Sequence, residues 1–177
     1  MNAFTSVIAP ALPQDPFDSA VGQFDAWRGR CLDTFARAEA AVTETLLSLR
    51  SAPKRGEKVQ MPHLVGQRYA ALDAAIGPTV PFSTEGQKAA AVLMEFDAHT
   101  RIRTMLCHGL GDILLDRHGR WTVVLRNVSL RANQAERDIL LLSQDEAELL
   151  HMGIARAAQV LCSHLGNLRA SLAKTVA

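Results

Sequence analysis

Apolar residues recur at helical steps in the first third of the chain: Phe17, Val21, Phe24, Cys31, Phe35, Ala38, Val42, Leu46 and Leu49. Steps of three and four put them on one face of a helix, and Arg28 is the one polar interruption. Asp15-Pro16-Phe17-Asp18 reads as the start, with Asp15 as cap, Pro16 in the first turn and Asp18 at the positive end of the helix dipole. Pro53 places the stop near Ser51, because the residue before proline avoids helical geometry. After a charged loop from Lys54 to Gln60, Pro62 opens a shorter helix carrying Leu64, Tyr69, Leu72 and Ile76, and Gly77-Pro78 closes it.

Thr84-x-x-Gln87 reads as a capping box for a long helix from about Glu85 to His108, with Gly109 and Gly111 as stops. The period then changes. Asp112 to Arg117 and Arg120 to Asn127 are short β-type runs around His118-Gly119, which predicts a hairpin with a two-residue turn. Glu136 to Leu142 is a candidate third strand. Ser143-x-x-Glu146 is a second capping box, and it opens a helix with the stripe Leu150, Ile154, Ala157, Leu161, Leu165, Leu168 and Leu172. The expected fold is mainly α: an antiparallel bundle of three long helices and one short one, with a hairpin or small three-stranded sheet before the last helix. Residues 1–14 are expected to form a loose arm and residues 15–177 one helical domain.

Composition agrees with that reading. A chain of 177 residues with 48% hydrophobic and only 5% aromatic residues builds its core from Ala, Leu and Val, which suits close-packed helices. Nineteen basic and 18 acidic side chains leave a net charge of +1. This excludes a global basic field for non-specific nucleic-acid binding but leaves room for a local basic cleft. Cys31, Cys107 and Cys162 have neither zinc spacing nor a disulfide framework, and read as small helix-packing thiols. The first residues lack the basic start and long apolar run of a signal peptide or membrane span, so the expected compartment is the cytoplasm, with no membrane association. There is no phosphate loop, nucleophile elbow, metal cluster or dinucleotide fingerprint, and no cofactor is expected.

Candidate chemistry concentrates in the third helix. On a wheel of 100° per residue, Asp97, Arg101, Thr104 and His108 form one polar stripe, and Glu95, His99 and Arg103 a second. Apolar residues fill much of the remaining circumference, so these charges need partners or a function. Ion pairing of Asp97 with Arg101 and of Glu95 with His99 is the plain structural reading.

The run Arg103-Thr104-Met105-Leu106-Cys107-His108-Gly109, at a helix end and followed by a hairpin and a last helix, resembles the HEPN superfamily (higher eukaryotes and prokaryotes nucleotide-binding). Its members commonly end a central helix in Arg, a polar residue, three variable residues and His, often with Gly next. Gly66-Gln67-Arg68 with Leu72 and Ile76 is similar to the stretch upstream of the motif in bacterial members. The resemblance covers about residues 15 to 175 in architecture and seven residues in motif. It implies a metal-independent endoribonuclease of the toxin–antitoxin or phage-defence kind, acting as a homodimer on RNA and held by an antitoxin protein. His108 would be the acid or base and Arg103 the phosphate ligand, with Arg101, Thr104, Asp97 and His99 in support. Thr104 departs from the usual Asn or Asp and offers no paired amide donor and acceptor. In an ideal helix Arg103 lies about 140° from His108, so the motif makes sense as half of a composite site, or with Arg101 as the ligand. Two other readings stand beside it: a non-catalytic HEPN-like module binding RNA, a nucleotide or a protein, and a purely structural helical dimer.

Overall fold

The computed structural model describes residues 15–131 and 134–176. The arm expected at residues 1–14 lies outside that range. In chain order the elements are α1 (Pro16–Arg50), a 3-10 turn (Gly56–Lys58), α2 (Val65–Ile76), α3 (Ser83–Asp97), α4 (Thr100–His108), β1 (Leu110–Leu115), β2 (Trp121–Arg131), β3 (Gln134–Ser143) and α5 (Gln144–Val176). The protein is mainly helical with one three-stranded antiparallel sheet, ordered β1-β2-β3. Among the described residues, no helix is long and apolar enough to cross a membrane.

α1 begins as its sequence requires, with the Asp15 carboxylate accepting the Phe17 amide at 2.9 Å and Pro16 in the first turn. Its apolar stripe is buried from Phe24 to Leu49, while Phe17 at its start is exposed and Val21 half-buried; the helix packs mainly on α5. α5 starts at a complete capping box: the Ser143 amide and hydroxyl donate to Glu146 Oε2, and the Ser143 hydroxyl accepts the Glu146 amide. Ile154, Leu161, Leu165, Leu168 and Leu172 are buried, as its stripe predicts.

These two helices run parallel. Gln23 meets Gln144, the Trp27 indole donates to the Ala147 carbonyl at 2.7 Å, and Arg169 donates to the Ala41 carbonyl and the Thr45 hydroxyl. The short connection between α2 and α3 does give antiparallel neighbours, where Tyr69 stacks on Phe96 and Ile76 faces Gly86; α4, though distant in sequence, also lies antiparallel to α1. An all-antiparallel bundle does not describe α1 and α5, because the whole of α2 to β3 lies between them and returns the chain to its starting end.

Two expected elements differ. The single helix from Glu85 to His108 is two helices, broken at Ala98 and His99. The His99 amide donates to the Phe96 carbonyl at 3.0 Å, and the next helical bond runs from Arg103 to His99. No Pro or Gly marks this break; Phe96 is held in an aromatic cluster with Phe35 and Tyr69, while Met105 and Leu106 pack into the core further along. The Thr84-Gln87 box is also unused. α3 starts two residues earlier, behind buried Phe82, over which the Arg55 guanidinium sits at 4.6 Å.

The hairpin forms with one more turn residue than expected. Asp116 and Arg120 still share a backbone bond, leaving Arg117-His118-Gly119 as the loop, and Gly119 has φ +76°. Asp116 Oδ1 accepts the amides of Arg120 and His118, which holds its carboxyl below the usual range. The third strand is present and longer than expected. The sheet's inner face buries Trp121, Val123, Leu125 and Leu142. Trp121 packs edge-on against Phe24 and tilted against Trp27, with centroids 6.0 and 6.1 Å apart, joining sheet to bundle.

Helical glycines separate by context. A Cβ on Gly86 would lie 2.5 Å from Ile76 Cβ, whereas one on Gly22 would meet nothing within 4 Å. We expect Gly86→Ala to destabilise by about 1–3 kcal/mol through forced separation of α2 and α3, and Gly22→Ala to stabilise by roughly 0.5–1 kcal/mol through helix propensity. Chemical denaturation of both variants checks the opposite signs.

Candidate functional site

α4 carries the motif, and each of its polar side chains has a separate fate. Arg103 lies on the side facing α1 and forms an ion pair with Glu39. Both side chains are largely covered, at 29% and 16% exposure. The hydrogen bond to Glu39 is the main cause raising the Arg103 pKa above its ordinary value. A neighbouring cavity of about 40 Å³, bounded by Glu39, Tyr69 and Arg103, has space for about one water rather than a nucleotide. Burial, more than the nearby Glu39 charge, pushes the Tyr69 phenol well above its usual range.

His108 ends the helix and is exposed. No hydrogen bond or ion pair holds its imidazole among the described residues. Arg103 and His108 are therefore not brought together within one chain. Arg101 and Thr104 share the His108 face and turn toward the β2–β3 ribbon. The Arg101 guanidinium donates to Asp138 Oδ1 at 2.7 Å, and the Thr104 hydroxyl donates to the Thr100 carbonyl at 3.1 Å. Asp97 falls beyond the helix break, where it accepts the Thr100 hydroxyl at 2.9 Å. His99 stands edge-on to Phe96 at 6.0 Å. The ion pairs read from the wheel, Asp97 with Arg101 and Glu95 with His99, are not the ones formed: Arg101 reaches a strand 37 residues away instead.

Between α4 and the ribbon lies a polar cavity of about 470 Å³. Arg101, Thr104, Asn127, Glu136 and Asp138 line it. Its one guanidinium, on Arg101, is already paired with Asp138, so the cleft offers no uncommitted cation to a phosphodiester among the described lining residues.

Three residues that organise this site stand outside the motif. Arg28, the interruption in the α1 stripe, donates Nε to the Leu106 carbonyl at 2.6 Å and a terminal nitrogen to the Gly109 carbonyl at 3.3 Å. It thus satisfies the open carbonyls at the α4 C-terminus, where a cation is favoured. Its position in an otherwise apolar face was the available signal. Glu39 and Asp138 carried none, because their partners are distant in sequence. Arg68, from the upstream stretch, is structural: it donates to the carbonyls of Pro62 and His63 and to the Thr43 hydroxyl. Arg55, in the basic loop, donates to the Pro81 carbonyl and to Glu85 at 2.7 Å. Among the described residues, no group of three or more His, Cys, Asp or Glu side chains is placed to hold a metal ion.

Set against known protein families, curated proteins and solved structures, the chain gives no match. Its chemistry is read from the site alone.

Two consequences are measurable. Glu39→Leu or Arg103→Met alone leaves one charge partly buried and unpaired, costing about 1–3 kcal/mol, while the double variant recovers much of that loss; a denaturation double-mutant cycle measures the coupling. Cys31 is fully buried, and burial is the main cause pushing its thiol up to about 12. It stays protonated at neutral pH, so iodoacetamide should label it only after unfolding, as peptide mass mapping will show.

Proposed function

We propose that this chain is a HEPN-like interaction module that binds a polypeptide partner and performs no RNA cleavage itself. The observation that carries this reading is the Arg103–Glu39 pair. A phosphate ligand needs an available guanidinium, and Arg103 has already spent its charge on a carboxylate of α1. Arg101, the alternative ligand, faces Asp138 in a cleft that Glu136 also lines. Thr104 directs its hydroxyl to its own helix backbone. The HEPN-like part of the reading is supported by order along the chain: the motif ends a helix, a sheet follows, and a long helix closes the domain. The polypeptide part is supported by the chemistry of the cleft, where the Asp138 carboxylate, hydroxyls and an amide suit a basic side chain better than a phosphate.

A specific observation favours a second reading. His108 is exposed and uncommitted, as a residue completing a site across a two-fold axis would be. RNA incubated in EDTA with wild type and with His108→Ala separates the two readings. The interaction module predicts no cleavage by either protein; cleavage by wild type that His108→Ala abolishes would establish the nuclease instead. For the binding surface, an array of short basic and acidic peptides should show selective retention of basic ones. Asp138→Lys should weaken that retention at least about tenfold, equivalent to 1.4 kcal/mol. Equal retention of both classes would remove the polypeptide assignment.

A further inference from the structure

The sheet has a second face that the core does not use. Strand register puts Leu110, Arg126 and Ile139 in one row across the sheet, Asp112, Val124 and Leu141 in the next, and Leu114 with Thr122 in a third; Val128 and Leu130 extend the same face along the ribbon. These rows are one continuous surface, because alternate residues of paired strands share a side. Leu110, Leu114, Val128, Leu130, Ile139 and Leu141 are each between 57% and 80% exposed on it. At roughly 150–200 Å² for each fully exposed side chain, the six present about 700 Å² of apolar-residue surface, beyond the ~300–600 Å² of the largest patch on a typical monomer.

We propose that this face is the interface between two copies of the chain, packed sheet on sheet about a two-fold axis. Area is the first support. With the flanking polar residues, the face approaches the ~800 Å² per partner of a stable interface. Charge is the second. Near its centre Asp112 and Arg126 pair with each other as a self-complementary couple, and Arg137, opposite Val128, adds one exposed positive charge to the same face. A two-fold can set each carboxylate beside the other copy's guanidinium. The chain's net charge of +1 adds little repulsion between copies. The interface adjoins the polar cleft of the proposed binding function and shares Leu130 with it. It nevertheless touches the motif helix, because Leu110 follows His108 by two residues and would set both α4 ends at its rim.

Sedimentation of the full chain at micromolar concentration, with circular dichroism to confirm folding, tests the assignment. Wild type should be a dimer. Ile139→Asp and Ile139→Lys should each be folded monomers, and an equimolar mixture of the two should recover the dimer through opposite charges on one face. Met152→Asp, on the exposed side of α5, should remain dimeric. An Ile139→Asp protein that stays dimeric places the interface elsewhere and overturns the proposal. So does a monomeric wild type: if removing residues 1–14 then produces a dimer, that segment covers the face, and if it does not, the face belongs to a foreign partner. None of these outcomes decides the RNA assay, so the two claims fail independently.

Discussion

Parallel packing of α1 on α5 is the constraint on which the rest of the protein depends. Helices of 35 and 33 residues, each about 50 Å long, bury their apolar stripes against each other. Because they point the same way, the chain leaving α1 must come back along the bundle before α5 can begin. α3 and α4 make that return, and the sheet delivers the chain to the capping box at Ser143. The Trp27 bond to the Ala147 carbonyl and the Arg169 bonds to Ala41 and Thr45 tie the pair towards opposite ends. These polar contacts add direction to an attraction that the hydrophobic stripes supply without any.

The same packing decides what the motif helix can do. α4 is short, and two groups on α1 hold it: Arg28 under its C-terminal carbonyls and Glu39 on Arg103. A partly covered arginine with a carboxylate partner is stable because breaking the pair strands a charge, even where the pair itself adds little over apolar packing. Seating Arg103 this way commits it to the fold. His108, one and a half turns on, faces outward and keeps its chemistry open. The motif is thus divided between a structural half and an exposed half.

The sheet shows the same economy in another form. Its inner face completes the core through Trp121, Val123 and Leu125, and its outer face leaves large aliphatic side chains in water. An antiparallel sheet in a monomer usually alternates apolar inside with polar outside. Here both sides are apolar along much of β3, where Ile139 to Leu142 run without a polar residue. Such a run is typical of a strand covered on both faces.

Several elements were legible from local pattern alone. Both long helices, their caps at Asp15 and Ser143, the stop near Ser51 and the third strand follow from periodicity and short-range hydrogen bonding, which need no information from the rest of the chain. The hairpin was legible to within one residue, since Gly119 marks the left-handed position without stating the loop length. What only the tertiary structure decided were features set by partners far apart in sequence. The break at Ala98-His99 has no local marker; it separates Phe96, held among Phe35 and Tyr69, from Met105, buried further along the core. Arg28 looked like a flaw in a stripe until α4 arrived above it. Arg103 and His108 read as one motif because they are near in sequence, yet a helix places them on different sides, and Glu39, 64 residues away, determines which of the two is free.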